Sequence, residues 1–330
     1  MKIFLAAMVL MMGVNMSAQT LSSQQALELA KKYLAEFSKG ETDDLWQHMT
    51  PAMQAALKDQ ATWKTMPAQF KSQLGEETTV ENECMIPAPR LQVYTRLSEF
   101  ASVPGKFITT IALDDEARIA GFSIRPMPNP AESKYLDYKD KTKFHLPFKG
   151  TWIILQGGRS TYENYHAAYP DERFAYDIVG VKDGKIYSGD ADKPESFFGF
   201  GQPVLAPADG TVVTAVDQYE DNPVGKRSAT NPKEGNTVVI DHGNGEFSMI
   251  AHLKRGSVKV KVGEKVKAGQ EIGQCGNSGN SDLPHVHYHV QTTKDWFKGD
   301  GLPIQFVDYV ADGKPVASGE PVRGQTVQPK

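Results

Sequence analysis

Residues Gly276 to Val290 read GNSGNSDLPHVHYHV. Three of the chain's eight histidines, His285, His287 and His289, stand at alternate positions near its end. Flanked by Val and Tyr, the run reads as a strand, in which successive side chains alternate faces and the three imidazoles point the same way. Neighbours on such a face stand ~7 Å apart, so one ring can ligate a metal ion while the next touches what the ion holds. Taken alone, a His-rich strand facing water or a polar core competes well with a metal site.

Two further stretches shift that balance. NYHAAYPDERFAYDIVG carries His166 and, eleven residues on, Asp177 within an apolar, strand-like run. A carboxylate buried there needs a partner, because desolvating an unpaired charge costs several kcal/mol. An ion pair with Arg159 or Arg173 would supply one. In FSMIAHLKRG, His252 interrupts another apolar strand. A single core histidine is ordinarily just hydrogen-bonded. Three separate strands, each delivering an imidazole or a carboxylate, are harder to attribute to packing.

At this point GNSGNSDLPHVHYHV, MIAHLKRGSVKVKVGEKVKAGQEIG, YHAAYPDERFAYD and GQPVLAPADGTVV together resemble the lysostaphin-type (LytM-like) zinc endopeptidases of bacterial cell walls, over residues 150–310. The family pattern is a His, an Asp, a separate His after an apolar run and a final His-x-His, and all four parts occur in order. The resemblance implies a mainly antiparallel β peptidase domain, zinc as cofactor and peptidoglycan peptides as substrate. It assigns His166, Asp177 and His287 as zinc ligands, and His252 and His285 as catalytic histidines that do not ligate. His289 lies outside the core pattern, as a support for a ligand or a structural residue. The His166–Asp177 spacing is longer than the commonest form, and Leu283 precedes Pro284 where Gly is more frequent; neither removes a functional atom. Two imidazoles and a carboxylate leave a fourth zinc position open, as catalytic sites require. No Glu stands in a His-Glu-x-x-His motif, so His285 or His252 must accept the proton and return it to the leaving amine. Tyr162 or Tyr165 is a weaker candidate, as a donor to the oxyanion, against a packing role. The Gly and Asn residues of GNSGNSD are expected as turn-formers at the rim of the site, in preference to contacts with substrate backbone.

Outward from this core, LSSQQALELAKKYLAEFSKGE reads as an amphipathic helix capped by Ser22 or Ser23, with Leu27, Ala30, Leu34 and Phe37 on one face and Gly40 at its end. A second helix is expected near Asp43 to Met49 and a third after Thr50-Pro51. Past Thr78, RLQVYTRLSEFA, GKFITTIAL and ARIAGFSIRP are β-rich, with a hairpin turn at Asp114-Asp115-Glu116. Residues 21–127 thus read as a small α+β domain, and they resemble the cone-shaped nuclear-transport-factor-like modules that precede some secreted peptidases. His48 stands alone there, and the module is read as a binding or spacer element. The prolines and charges of RPMPNPAESKYLDYKDKTKF are expected to make 128–149 a linker, and 311–330 is expected as an irregular tail.

MKIFLAAMVLMMGVNMSAQT has one Lys, then an apolar run too short to span a bilayer. It reads as an export signal, residues 1–18, cleaved after Ala18, which implies a secreted or periplasmic protein with no membrane attachment after processing. The net charge of −4 gives no broad basic field for nucleic acid or anionic lipid. Cys84 and Cys275, the only two cysteines, fall in different domains and are not expected to bridge. Two rivals remain. One is a catalytically inactive wall-binding or regulatory protein on the same fold, which the survival of every candidate ligand argues against. The other is a biotinyl- or lipoyl-type carrier, suggested by GSVKVKVGEKVKAGQEIG but without the exposed hairpin Lys such carriers need.

Overall fold

The computed structural model describes residues 7–8 and 22–330. The expected export signal, 1–18, lies outside the described residues apart from Ala7 and Met8, which pair with Phe122 and Gly121. The chain divides after Met127 into two compact units.

The first unit places four helices before an antiparallel sheet. Helix α1, Ser23–Lys39, opens on a capping box in which the Ser22 side chain accepts from the Gln25 N–H and the Gln25 side chain reaches back to the Ser22 N–H; Gly40, at φ 81°, closes it. Its inner face is Ala26, Ala30, Tyr33, Leu34 and Phe37, with Leu27 only partly covered. Helix α2 spans Thr42–Gln47. The expected third helix is two: α3, Pro51–Leu57, capped by Thr50, and α4, Gln60–Leu74, capped by Asp59. Lys58, at φ 72°, breaks the pattern between them. Strands β1 (Glu77–Ala88), β2 (Leu91–Phe100), β3 (Val103–Asp114) and β4 (Ile119–Pro126) form a meander in sequence order. Phe37, Trp63 and Phe122 meet at centroid distances of 5.0, 4.6 and 5.5 Å, joining helices to sheet. Aromatic pairs of this kind contribute about 0.5–1.5 kcal/mol each beyond the area they bury.

The second unit, Pro128–Lys330, is built on one long antiparallel sheet. Its main strands are β5 (Trp152–Gln156), β6 (Tyr176–Gly180), β7 (Gly210–Val216), β8 (Asn236–Asp241), β9 (Phe247–Leu253), β10 (Val286–Gln291), β11 (Phe306–Ala311), β12 (Lys314–Gly319) and β13 (Thr326–Pro329). They lie side by side in the order β7-β8-β9-β10-β6-β5-β13-β11-β12. Val286, Tyr288 and Val290 of β10 enter a core with Tyr176 and Ile178 of β6 and Ile250 of β9. The opposite faces of β10 and β6 are left to His287, His289 and Asp177.

Two expectations fail here. The stretch 128–149 is no free linker. Phe144, Leu146 and Phe148 are buried in the second unit's core. The fully buried Glu246 accepts from the Tyr138 hydroxyl, the Lys141 and Thr142 amides and the Thr142 hydroxyl. Prolines and charges dominate the composition of the stretch, but alternate apolar residues in FHLPF bury like a strand. Nor is the C-terminal tail irregular. A tight turn at Asp312-Gly313, both at positive φ, folds β12 back on β11, and β13 then inserts between β11 and β5 with Val327 fully buried. Cys84 and Cys275 form no disulfide. No helix among the described residues is long and apolar enough to cross a membrane.

Candidate active site

Register builds the centre of the site. β10 pairs with β6 so that His287 stands directly opposite Asp177, and with β9 so that Ala251 flanks His287 on the other side. Cross-strand partners put their Cβ atoms ~5 Å apart, close enough for two short polar side chains to meet. His287 Nδ1 lies 2.9 Å from Asp177 Oδ1. His166 comes from a single helical turn, Tyr165–Ala168, and its Nε2 lies 3.7 Å from Asp177 Oδ2. One donor atom each from His166, Asp177 and His287 falls within 4.8 Å of the others, and all three residues are buried.

Neighbours set which atoms face inward. Asn164 caps the turn and accepts both the His166 backbone N–H and its Nδ1–H, at 3.1 and 2.9 Å, so the lone pair of His166 is on Nε2. Asn164 is itself oriented by donating to the carbonyls of Gly158 and Ala175. Burial pushes the His166 pKa down to about 3, against the pull of Asp177, keeping the ring neutral as a metal ligand must be. Burial works against ionisation of Asp177, yet the imidazoles of His166, His285 and His287 hold its carboxyl well below the usual range. Two imidazoles and one carboxylate are a donor set that suits zinc.

His252 and His285 stand beside this triad, their rings 4.8 Å apart. His252 Nδ1 donates to the Ser278 carbonyl at 2.8 Å, and His285 Nδ1 to the Leu283 carbonyl at 2.9 Å. Each therefore turns Nε2 towards the site; that of His285 is 3.4 Å from Asp177 Oδ1. Burial and the facing rings of His285 and His287 hold His252 well below the ordinary histidine value. Burial also opposes the charge on His285, but Asp177 outweighs it and the net shift is upward. The two rings are thus shifted in opposite directions, His252 by burial and His285 by the facing carboxylate.

His252 reaches this face by a backbone irregularity. Between Asn236↔Leu253 and Val238↔Ile250, β9 holds one residue more than β8, and His252 sits at φ 60°. Strict alternation would send its side chain to the core with Ile250. The bulge turns it to the site instead and returns Leu253 to the core. Holding a non-glycine residue there costs about 1–2 kcal/mol.

GNSGNSD is not a rim. Asn277 and Ser278 are fully buried and Ser281 is 1% exposed. The Ser278 carbonyl fixes His252, and the Ser281 hydroxyl lies 3.1 Å from His285 Nδ1, so the segment is the wall that orients both rings. A Cβ on Gly276 would come within 2.3 Å of the Lys254 backbone nitrogen, so only glycine allows that close approach. Of the two tyrosines, Tyr162 is buried, whereas Tyr165 is exposed and its hydroxyl donates to Asp177 Oδ2 at 3.4 Å. Neither arginine suggested for Asp177 reaches it: Arg159 pairs with Glu320, and Arg173 donates to the Arg159 carbonyl. Sequence reasoning missed Asn164, Ser278, Ser281, Gln291 and Glu172, whose carboxylate lies 3.8 Å from His287 Nε2. Gln291 alone carried a readable signal, the same strand period as the histidines.

Residues 196–299 match the model of the family described as Peptidase family M23. The match includes His252, His285 and His287 and stops short of His166 and Asp177. Peptidoglycan DD-endopeptidase ShyA of Vibrio cholerae is 38% identical over 90 residues, 27% of this chain and 17% of the relative. Cell division protein DipM of Caulobacter vibrioides is 33% identical over 98 residues, 29% of this chain and 14% of the relative. Glycyl-glycine endopeptidase ALE-1 of Staphylococcus capitis is 33% identical over 115 residues, 34% of this chain and 26% of the relative. The chain thus spans only a minor part of the length of these relatives. The catalytic domain of the prophage-encoded M23 protein EnpA from Enterococcus faecalis aligns with 48% of this chain and 94% of its own, at 23% identity and a TM-score of 0.30. Within the second unit, residues 196–299 are thus similar to peptidase family M23.

Proposed function

We propose that the protein is an exported zinc-dependent endopeptidase that hydrolyses peptide bonds in peptidoglycan stem peptides or cross-bridges. The observation that carries this reading is the convergence of one donor atom each from His166, Asp177 and His287 beside two further imidazoles whose Nδ1 atoms are anchored on carbonyls. The similarity to a peptidoglycan DD-endopeptidase and a glycyl-glycine endopeptidase supports the substrate class. His166, Asp177 and His287 would hold a zinc ion, which would supply Lewis acidity towards a carbonyl and water. His252 and His285, with Nδ1 anchored on carbonyls, take up the proton released in the attack and return it to the leaving amine. Of the two candidate tyrosines, Tyr165 is in this reading the donor to the developing oxyanion, supported by its hydroxyl lying 3.4 Å from Asp177 Oδ2. Residues 21–127 act in this reading as a nuclear-transport-factor-like binding or spacer module, and residues 1–18 as the export signal. The test is metal analysis of the purified protein together with digestion of wall fragments and identification of the new amino termini. Stoichiometric zinc and new termini are expected. Protein without zinc that leaves the fragments whole overturns the proposal in favour of an inactive wall-binding protein.

A further inference from the structure

His289 and Gln291 belong to no part of the ligand and proton-transfer set, yet both are buried on the same strand face as His287, with exposures of 1% and 0%. Their hydrogen bonds run in one direction. The Gln291 side-chain nitrogen lies 2.8 Å from the Thr293 carbonyl and 2.8 Å from the Asp295 carbonyl. Carbonyls only accept, so the amide nitrogen points at them and Oε1 points the other way, at His289 Nε2, 3.2 Å off. An amide oxygen also only accepts, so His289 carries its proton on Nε2. In the neutral ring Nδ1 is then an acceptor, and it lies 3.0 Å from His287 Nε2. His287 must donate there, so the ring nitrogen left for another partner is Nδ1, the atom 2.9 Å from Asp177 Oδ1. That pair of atoms is held together by a shared positive charge, a proton on the ion-free ring or a metal cation in its place.

We infer that His289 and Gln291 are positioning residues that lock His287 in its Nε2–H tautomer and so reserve Nδ1 for a divalent cation. The relay starts at two backbone carbonyls and passes through three side chains at positions 287, 289 and 291 of a single strand. Asn164 treats His166 in the same way from the other side, anchored on two carbonyls and accepting the proton of the nitrogen that does not ligate. Trp296 packs edge-on against His289 at a centroid distance of 5.3 Å and closes the relay from one side. Supports of this kind raise metal affinity by about 10- to 100-fold, because the ligand need not change tautomer to bind.

The inference rests on His287 being a ligand, so its test is separated from catalysis. Zinc affinity is measured by competition with a chromophoric chelator for the wild type, His289→Phe, which keeps a ring but accepts nothing, and His289→Gln, which restores an acceptor. His289→Phe is expected to bind zinc about 10- to 100-fold more weakly, and His289→Gln to recover most of the loss. Equal affinity in the wild type and His289→Phe overturns the relay. Long-range proton–nitrogen NMR of the zinc-free wild type at mildly alkaline pH gives a readout that needs no variant to fold. A His287 proton on Nε2 is expected, and a neutral ring protonated on Nδ1 overturns the inference. Wild-type protein that takes up no zinc would instead sink the peptidase reading, while the NMR result still decides the tautomer.

Discussion

Each unit sets a polar cluster into its sheet, and the two clusters are satisfied in opposite ways. In the first unit, Glu83 accepts from Lys31 at 2.8 Å, from Arg96 Nη2 at 2.6 Å and from the Tyr94 hydroxyl. Arg96 also bonds Glu77 at 2.9 Å, and Glu77 accepts from Ser98. Donors and acceptors alternate, so the network closes on itself. In the second unit the donors of His166, His252 and His285 are spent outward, on Asn164 and on carbonyls. What faces inward is the Nε2 atoms of these rings and a carboxylate. A closed network contributes stability without any added ion. A convergent set of acceptors gains its stabilisation from a cation, and that difference separates a structural cluster from a chemical one.

The largest effect that would break the comparison is His287→Ala, expected to abolish both zinc retention and hydrolysis of wall fragments; a variant that keeps its zinc would remove His287 from the ligand set. Next is His285→Ala, expected to retain stoichiometric zinc but to lose about 10²- to 10⁴-fold in kcat, the usual worth of a positioned acid or base. Full turnover by that variant would end its assigned role. Zinc should act on one unit alone. At 100 times its Kd it adds about 2.7 kcal/mol to the second unit, so chelation should lower that unit's thermal transition and leave the first unit's unmoved. Two transitions shifting together would count against the contrast.

Smaller effects probe the closed cluster and the bulge. Burial alone would raise the Glu83 pKa, but Lys31, Tyr94 and Arg96 outweigh it and hold the pKa low. A carboxylate depressed in the folded state stabilises above its unfolded pKa of about 4.3, and the benefit fades as pH falls through the folded value. Glu83→Gln should therefore cost about 1–3 kcal/mol at neutral pH, with the gap to the wild type shrinking in acid. Denaturant titrations at both pH values measure it, and a constant gap would remove Glu83 from the acid response. Last, His252→Gly should be more stable than His252→Ala by about 1 kcal/mol, because glycine alone adopts φ 60° without penalty. Equal midpoints would show that the bulge stores no strain.

Local patterns were legible where the physics is local. The Ser22 cap, Thr50-Pro51 and the turn after Asp114 follow from side chains bonding within a few residues of themselves. What was misread depended on distant partners. The 128–149 stretch is held by Glu246, more than a hundred residues away, and the tail gains its order by pairing with Trp152 and Ile153. Neither partner leaves a mark on the composition of the segment it orders.

The sequence by itself determined that His285, His287 and His289 share a face, because the two-residue period of a strand is a property of the backbone. It also determined which residue types could serve zinc. Only the tertiary structure decided that Asp177 faces His287, that Gln291 and Asn164 set the tautomers, and that His252 points to the site at all. The reason is register. A strand's alternation is written along the chain, but one extra residue opposite β8 reverses it, and that residue is defined only once the two strands have paired.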